Sequence, residues 1–400
     1  MKSRYDCIVV GGGPGGAWAA RAAARAGADV LLLEKDREVG VPVRCGEAVG
    51  ERGLLRAVDA VDPRWISNTV TGVVIISPSG HEVVVDSPRE RGFILDRKIF
   101  DYDLVRLAAD AGAEVATKAY VSDLLRDGAD GNGGRGAIHG VRVQHLGETR
   151  EVRAPVVIGA DGVESRVGRW AGLRTNTKLT DMGSCLQMTL AGVRRDPRYV
   201  YLYYGSRVAP GGYLWIFPKA DGVANVGIGI SGDHARARSA RRYLEDFIAR
   251  EFPGCAVLYT VVGGVPCAPT LPKIATDGVM LVGDAAHQVN PVSGGGIVTA
   301  MLAGAIAGRV GADAARSGDV SARRLGAYER EWREIQGGVH DMAYKMKKVL
   351  YRLSDDDLDR AAETALRIPR EKRSIGNLFK AALVKHPLLV FEALKTFALK

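Results

Sequence analysis

The sequence is poor in cysteine, and its apolar runs are short. Five cysteines occur among 400 residues. Their odd number and irregular spacing argue against a disulfide framework and a zinc site, so we expect no metal centre. No apolar run reaches the roughly 20 residues that span a bilayer, and the first apolar strand pattern begins too early for a signal peptide. These absences predict a cytoplasmic protein.

The chain also lacks the basic tracts of a nucleic-acid-binding protein. Lysine and arginine number 55 against 46 acidic residues, which gives a net charge of +9. This excess is spread along the chain without interleaved aromatic residues, so no nucleic-acid partner is expected. It suits a negatively charged substrate or a membrane surface, or it serves only solubility.

Glycine, by contrast, is abundant, and residues 11–16 form a glycine-rich segment between two regular patterns. The apolar run Cys7–Val10 before it predicts a buried strand, and the alanine-rich stretch 17–26 after it predicts a helix. Gly11 and Gly13 allow a tight turn and the close approach of the main chain to a ligand. This strand-turn-helix pattern predicts a dinucleotide site.

Two further features support that site. Gly15 and Gly16 lie at the start of the predicted helix, where Gly16 allows close packing on the strand and the helix N-terminus offers N–H groups to a pyrophosphate. A second apolar run, Val30–Leu33, ends in Glu34. An acidic residue at this place is expected to bind a ribose hydroxyl.

A second glycine-rich region, far along the chain, predicts the other half of the same site. The Gly283-Asp284 pair follows an apolar strand pattern over 279–282, and the glycines 294–296 precede a helical pattern over 297–310. If both regions belong to one site, the cofactor is FAD.

The patterns together predict an α/β (α+β) fold in which a Rossmann-type domain is assembled from separated segments. Alternating residues rich in Tyr, Val and Ile between about 180 and 265 are typical of an antiparallel sheet. The predicted domains are an FAD-binding domain of residues 1–64, 91–175 and 266–330, an antiparallel sheet substrate domain of residues 65–90 and 176–265, and a helical C-terminal region of residues 331–400.

This layout resembles the p-hydroxybenzoate hydroxylase class of FAD-dependent flavoproteins, and more closely the geranylgeranyl reductases. The finer resemblance rests on residues 42–47 (PVRCGE), 95–97 (LDR), 213–218 (YLWIFP) and 225–229 (NVGIG), and it covers nearly the whole chain. The archaeal members, which saturate the isoprenoid chains of digeranylgeranylglycerophospholipid, are the most similar. The resemblance implies a sheet domain that covers the isoalloxazine ring.

The resemblance also implies a set of residues that contact FAD. Asp284 would lie at the ribityl or pyrophosphate part, and the helix after Gly296 would direct its positive end at the flavin. Arg97 would bind phosphate or flavin oxygens, with an ion pair to Asp96 or Asp101 as the alternative. The predicted set is Gly11, Gly13, Gly15, Gly16, Glu34, Arg44, Cys45, Gly46, Arg97, Val121, Asp161, Asp284, Gly295, Gly296 and Ile297.

The implied activity is the saturation of C=C bonds in geranylgeranyl chains of an isoprenoid lipid. An isolated trisubstituted alkene is not electrophilic, so a proton must accompany the hydride from reduced flavin. Cys45, Glu47, Tyr213 and a water molecule relayed by one of them are the candidate donors. A small residue that fits a tight loop beside the flavin is the alternative role of Cys45.

One strand carries the predicted substrate contacts. In extended backbone, Tyr213, Trp215 and Phe217 project to one face. Such a face suits a polyene and can stabilise positive charge by cation–π attraction. It suits an ordinary domain core equally well, and only the motif match favours substrate binding.

Several alternatives stay open from the sequence. The enzyme could act on the prenyl tail of menaquinone, a chlorophyll precursor or a prenyl diphosphate; it could be an FAD-dependent aromatic monooxygenase, or a non-catalytic isoprenoid-binding flavoprotein. The electron donor could be ferredoxin, NAD(P)H or a deazaflavin, and the sequence does not indicate the oligomeric state. The basic amphipathic pattern from residue 375 onward, broken near Pro387, fits internal packing or peripheral contact with the cytoplasmic membrane.

Overall fold

The computed structural model describes residues 1–87, 90–127, 136–374 and 376–377. The chain divides into two compact units. The first consists of residues 1–43, 97–176 and 268–341, and the second of residues 44–96, 177–267 and 342 onward.

The strands and helices of the described residues follow one another along the whole chain. The strands are β1 (Cys7–Val10), β2 (Val30–Leu33), β3 (Ala48–Gly50), β4 (Ile66–Val70), β5 (Gly72–Ile76), β6 (Glu82–Asp86), β7 (Gly92–Leu95), β8 (Glu114–Ala116), β9 (Ala119–Arg126), β10 (Ile138–His145), β11 (Glu148–Arg153), β12 (Val156–Gly159), β13 (Met182–Ala191), β14 (Tyr199–Tyr203), β15 (Tyr213–Pro218), β16 (Val223–Ser231), β17 (Ala256–Pro266), β18 (Ala275–Thr276) and β19 (Val279–Leu281). The α-helices are α1 (Pro14–Arg25), α2 (Glu51–Leu54), α3 (Arg97–Asp110), α4 (Arg166–Trp170), α5 (Ala240–Glu251), α6 (Ile297–Ser317), α7 (Ala322–Trp332), α8 (Gly338–Leu350) and α9 (Asp355–Leu366).

The first unit is built on a mainly parallel sheet with the strand order β18-β19-β12-β1-β2-β8. Strand β1 pairs in parallel with β2 and β12, and β12 pairs in parallel with β19. Every residue of β1, β2, β12 and β19 is buried, which explains why these segments are uninterrupted apolar runs. The predicted Rossmann-type assembly from separated segments is therefore confirmed. Strands β9, β10 and β11 form a separate antiparallel sheet in the same unit.

Helices α1 and α6 pack closely in this unit. A Cβ atom at Gly304 would overlap the carbonyl oxygen of Gly15, and one at Gly308 would overlap that of Ala19, so only glycine permits this approach. By length and composition alone, α6 is also apolar enough to cross a membrane, contrary to the sequence expectation. Most of its apolar window, 61%, is buried inside the protein.

The second unit contains a seven-stranded sheet with the order β17-β13-β16-β15-β14-β5-β6. It is antiparallel except for the pair β14 and β5, which run in parallel, so the predicted antiparallel sheet is mixed at this point. Helix α5 interrupts the predicted strand region and covers one face of the sheet with Leu244 and Phe247. Strands β3, β4 and β7 form a smaller antiparallel sheet of the same unit, with β7 between β3 and β4.

The two units differ from the predicted domains at several boundaries. The sequence analysis places residues 44–64, 91–96 and 266–267 in the FAD-binding domain, whereas they belong to the second unit, where β3 pairs with β7. The predicted helical region, residues 331–400, starts at the end of α7 and includes α8 and α9, and its residues 331–341 belong to the first unit. The amphipathic pattern from residue 375 onward lies outside the described residues, apart from 376–377.

Candidate functional site

The first glycine turn joins β1 to α1. Gly11 has φ +107°, and a Cβ atom there would overlap the carbonyl oxygen of Ala160. A Cβ atom at Gly16 would overlap the carbonyl oxygen of Gly11. Both positions therefore require glycine, because the turn, the helix and the end of β12 are in direct main-chain contact.

The N-terminus of α1 is open in a way that suits an anion. Gly13 is the N-cap residue, Pro14 occupies the first helical position, and no side chain among the described residues caps the helix. At Gly13 a Cβ atom would meet nothing within 4 Å in the described part of the chain. The N–H groups of Gly11 and Gly12 donate within the protein, to the Leu33 carbonyl and to Glu34. The first N–H groups of the helix are the ones that can bind a pyrophosphate.

Glu34 is held rigidly at the end of β2. Its Oε2 accepts a hydrogen bond from the Gly12 N–H at 2.7 Å, and its Oε1 accepts one from the Asp36 N–H at 2.8 Å. Since each carboxylate oxygen has a second lone pair, Glu34 can still accept from a ribose hydroxyl.

The second glycine region forms a turn directly after β19. Gly283 has φ +67°, and its N–H donates to Gln288 Oε1 at 2.7 Å. Gln288 Nε2 donates to the Tyr328 hydroxyl at 2.8 Å, and that hydroxyl donates to the Leu281 carbonyl at 2.7 Å. Sequence reasoning missed Gln288 and Tyr328, because no motif marks residues that fix a turn from a distant helix.

Acidic side chains are buried around these turns. Burial raises the pKa of Asp284 to about 6, and the Arg97 charge opposes that rise. Burial also raises the pKa of Asp161, against hydrogen bonds such as the one from the Val167 N–H at 2.9 Å. The Oδ1 atom of Asp161 is buried and has no hydrogen-bond partner among the described residues.

Arg97 forms the ion pair that the sequence analysis gave as its alternative. Its Nε and Nη2 each donate to Asp101 at 2.6 Å, and both side chains are largely buried. The pair fixes the guanidinium at the start of α3. The predicted contact of Arg97 with FAD stays a prediction.

The loop 290–296 shapes the start of α6. Asn290 Oδ1 accepts from the N–H groups of Val292 and Ser293, and the Asn290 N–H donates to the Gly295 carbonyl at 2.9 Å. Gly296 is the N-cap of α6, and no side chain of the described residues caps this helix. Ile297 therefore begins a second helix whose N-terminus can face an anion or a polar ring edge.

In the second unit, the YLWIFP segment is strand β15, and its side chains alternate as predicted. Leu214 and Ile216 lie in the core with α5. Trp215 and Phe217 belong to a separate cluster on the other face, and Tyr213 packs against it. Ring centroids along this face lie 5.8 Å apart between Tyr204 and Tyr213, 5.7 Å between Tyr213 and Trp215, and 6.1 Å between Trp215 and Phe217.

Glycines make room for these rings. Gly227 on β16 is the direct partner of Trp215, and a Cβ atom there would overlap the indole. A Cβ atom at Gly46 would lie 2.8 Å from Phe217 Cε2. The NVGIG motif and the Cys-Gly-Glu loop are therefore parts of one packing arrangement around the aromatic face.

The loop of Cys45, Gly46 and Glu47 is held by polar side chains of the sheet. Glu47 Oε2 accepts from Lys219 Nζ at 2.7 Å and from Asn225 Nδ2 at 2.6 Å. Gln187 Nε2 donates to the Cys45 carbonyl at 2.9 Å. Lys219 and Gln187 were missed by sequence reasoning, since a lone Lys or Gln in a strand carries no signal.

Tyr213 lies among other weakly acidic groups. Burial raises its pKa well above that of an exposed tyrosine, and Tyr204 and Cys185 add to this effect. Burial likewise raises the pKa of Cys185 to about 12. These phenol and thiol groups are therefore uncharged at neutral pH.

The predicted site residues divide between the two units. In the first unit, Val121 lies buried on β9, apart from the glycine turns in sequence. In the second, Arg44 is exposed, whereas Glu47 is buried with 3% of its surface accessible. In the described residues, no group of three or more His, Cys, Asp or Glu side chains could hold a metal ion.

Known proteins match the whole chain. The FAD binding domain family matches residues 4–205, and the geranylgeranyl reductase catalytic domain family matches residues 181–265. The chain is 44% identical to the digeranylgeranylglycerophospholipid reductase of Methanocella arvoryzae, over 98% of this chain and 99% of that protein. The enzyme of the same name from Methanosarcina acetivorans is 43% identical, over 98% and 96%. The chain belongs to the geranylgeranyl reductase family.

Solved structures agree with this membership. A geranylgeranyl bacteriochlorophyll reductase-like protein from Thermoplasma acidophilum superposes with a TM-score of 0.90 at 37% identity, covering 98% of this chain and 99% of that one. A myxobacterial chondrochloren halogenase, an FAD-dependent enzyme, shares the fold with a TM-score of 0.72 at 20% identity, covering 99% and 97%. The family matches and the relatives together show that the chain is an FAD-dependent oxidoreductase.

The residues of the first unit fit FAD. The uncapped N-termini of α1 and α6 and the open space at Gly13 suit phosphate and flavin oxygens. Asp161 Oδ1, buried without a partner in the described region, is an acceptor for a hydroxyl or N–H group of a ligand.

Proposed function

We propose that this reductase saturates the C=C bonds of geranylgeranyl chains, with digeranylgeranylglycerophospholipid as its substrate. The observation that carries the proposal is the near full-length identity of 44% to an enzyme of that name. The aromatic face of β15 supports it, since its rings and Gly227 beside them lie within the matched catalytic domain.

Bound reduced FAD supplies the hydride for this reaction. The residues that would hold the cofactor are the helix N-termini after Gly13 and Gly296 and the carboxylate of Glu34. The main chain would neutralise phosphate charge, and the buried Asp161 and Asp284 would orient hydroxyl groups.

The alkene needs a proton together with the hydride, and this places positive charge on a tertiary carbon. The faces of Tyr213, Trp215 and Phe217 stabilise such charge by cation–π attraction, worth about 2 kcal/mol or more in a site without water. Among the predicted donors we favour the Cys45 thiol. Glu47 is engaged by an ammonium group and an amide, and burial makes the Tyr213 phenol a weak acid.

We further propose a cytoplasmic enzyme that contacts the membrane peripherally while it takes up lipid. The net charge of +9 supports attraction to an anionic surface. Ferredoxin, NAD(P)H and deazaflavin are the candidate electron donors.

An anaerobic assay tests the proposed reaction. The FAD-loaded protein is reduced with dithionite, mixed with digeranylgeranylglycerophospholipid, and its products are analysed by mass spectrometry. We expect mass gains in steps of two hydrogens together with reoxidation of the flavin. Parallel samples with a prenyl diphosphate or menaquinone identify a different prenyl substrate, and repetition with each physiological donor identifies the electron source.

A pair of variants serves as the control for this assay. Cys45→Ser should lose most of the turnover, whereas Cys255→Ser, at another half-buried cysteine of the second unit, should retain it. Unchanged lipid in the presence of reduced flavin, with prompt reaction of that flavin with oxygen, would contradict the proposal and favour an aromatic monooxygenase.

A further inference from the structure

Glu47 has an unusual conformation for a buried acidic residue. Its backbone has φ +72°, a left-handed conformation that residues other than glycine rarely adopt. Its carbonyl accepts from the Leu95 N–H at 2.9 Å, and its own N–H donates to Cys45 Sγ at 3.2 Å. The main chain of Glu47 thereby fixes both the smaller sheet and the Cys45 thiol.

The side chain of Glu47 explains how this conformation is maintained. Lys219 Nζ and Asn225 Nδ2 donate to the same oxygen, Oε2, at 2.7 and 2.6 Å. Asn225 is oriented by the Thr189 hydroxyl, which donates to its Oδ1 at 2.8 Å, so its amide N–H points at the carboxylate. A paired and hydrogen-bonded buried charge holds one geometry.

A second chain of contacts joins the same loop to the aromatic face. The Trp215 indole N–H donates to Gln187 Oε1 at 3.0 Å, and Gln187 Nε2 donates to the Cys45 carbonyl at 2.9 Å. Through this one amide, the orientation of the indole and the position of the cysteine depend on each other.

We propose that Lys219, Asn225 and Gln187 are positioning residues that hold the Cys45–Glu47 loop on the aromatic strand, and that Glu47 is the ionic anchor of this loop rather than its proton donor. The expected effect of these residues on lipid turnover rests on the proposed function. The geometry that it describes is a property of the second unit alone.

Kinetics of the FAD-loaded enzyme test the anchor. Glu47→Gln and Lys219→Met should each lower kcat/KM for the lipid by on the order of 10- to 100-fold, as expected for a misplaced reacting group. The double variant should lose no more than the worse single variant, because both changes remove one interaction. Lys219→Arg, which keeps the charge, should restore most of the activity.

The matched control removes an arginine from the same unit. Arg241 pairs with Glu245 on the exposed side of α5, so Arg241→Met should leave kcat/KM unchanged. If Lys219→Met does not fold, as judged by FAD absorbance and thermal unfolding, Lys219→Gln and Asn225→Leu provide the same comparison.

Cys45 reactivity provides a readout that does not need lipid turnover. The rate of iodoacetamide modification at Cys45, followed by intact mass against a Cys45→Ser background, should rise at least threefold in Glu47→Gln and Lys219→Met, because the freed loop opens more often. Gln187→Leu should raise it as well.

Two results would overturn the proposal. Loss of turnover beyond 1000-fold in Glu47→Gln with near-normal turnover in Lys219→Met would identify Glu47 as the proton donor. An unchanged alkylation rate in both variants would show that the ion pair does not hold the loop. A wild-type enzyme that fails to reduce the lipid removes the proposed function only, and the alkylation rates then decide the anchor by themselves.

Discussion

The indole of Trp215 occupies the space that a side chain at Gly227 would fill. The two residues are direct partners on β15 and β16, and a Cβ atom at Gly227 would overlap the indole ring. The indole can therefore take its place in the aromatic face only because residue 227 is glycine.

Gly227→Ala should displace the indole and reduce lipid turnover while FAD binding persists. Overpacking of this kind costs typically 1–3 kcal/mol in the free energy of unfolding, which urea titration measures. Gly263→Ala is the matched control, because a Cβ atom at Gly263 on β17 of the same sheet meets nothing within 4 Å of the described residues. Equal turnover in the two variants would contradict a functional aromatic face.

Gly13→Ala should weaken FAD binding without destabilising the protein. The described residues leave space for the added methyl group at Gly13, so we expect it to obstruct a ligand at the helix N-terminus rather than any described part of the protein. Fluorescence titration of FAD-free protein gives the Kd. Gly338→Ala is the control, because Gly338 on α8 also faces open space in the described region, and it should leave the Kd for FAD unaltered. An unaltered Kd in Gly13→Ala would show that the pyrophosphate binds elsewhere.

The stability of the FAD-free protein should depend on pH through Asp284. Burial raises the folded-state pKa of this carboxyl from 3.8 to about 6, so between pH 4 and 6 the folded state binds more protons than the unfolded state. The free energy of unfolding should therefore rise as pH falls through this window, by on the order of 2–3 kcal/mol.

Asp284→Asn should remove that rise, since the amide does not titrate. Urea unfolding at pH 4.5 and 7 measures the difference between wild type and variant. Asp313→Asn, at a side chain that is 40% exposed, should follow the wild type. Parallel pH profiles for wild type and Asp284→Asn would show that Asp284 does not titrate in this range.

A buried ion pair fixes α8 in the second unit. Lys347 Nζ donates to Asp181 Oδ1 at 2.9 Å and to the Cys267 carbonyl at 2.7 Å. Lys347→Met should lower the free energy of unfolding by about 3–5 kcal/mol, because it leaves a buried carboxylate without its partner. Arg241→Met should leave the free energy of unfolding nearly unchanged, since its ion pair with Glu245 is exposed. If the two variants lose equal stability, the buried pair is not what holds α8.

The first unit could be predicted well because its signals are local. Four signals lie within residues 7–34: the apolar runs of β1 and β2, the glycine turn at Gly11 and the acidic residue Glu34. Each of them indicates one local structure or one contact. The start of α6 at Ile297 was predicted for the same reason, although the helix extends to Ser317 rather than to residue 310.

The polar support of the Cys45 loop could not be predicted in the same way. Lys219, Gln187 and Asn225 lie 142 to 179 residues from the loop atoms that they contact. Nothing in a strand pattern tells which of its polar residues will face a distant loop. Helix α5 was missed because its few apolar residues, such as Leu244 and Phe247, are separated by charged ones.

The central sheet of the first unit takes its strands from segments far apart in the chain, with β1 at residues 7–10 and β19 at residues 279–281. During synthesis on the ribosome, the glycine turn after β1 emerges long before Gly283 and the start of α6 exist. Only the first half of the proposed cofactor site is present at that stage, and the apolar edge of β12 that receives β19 stays unpaired until about 120 further residues have been made.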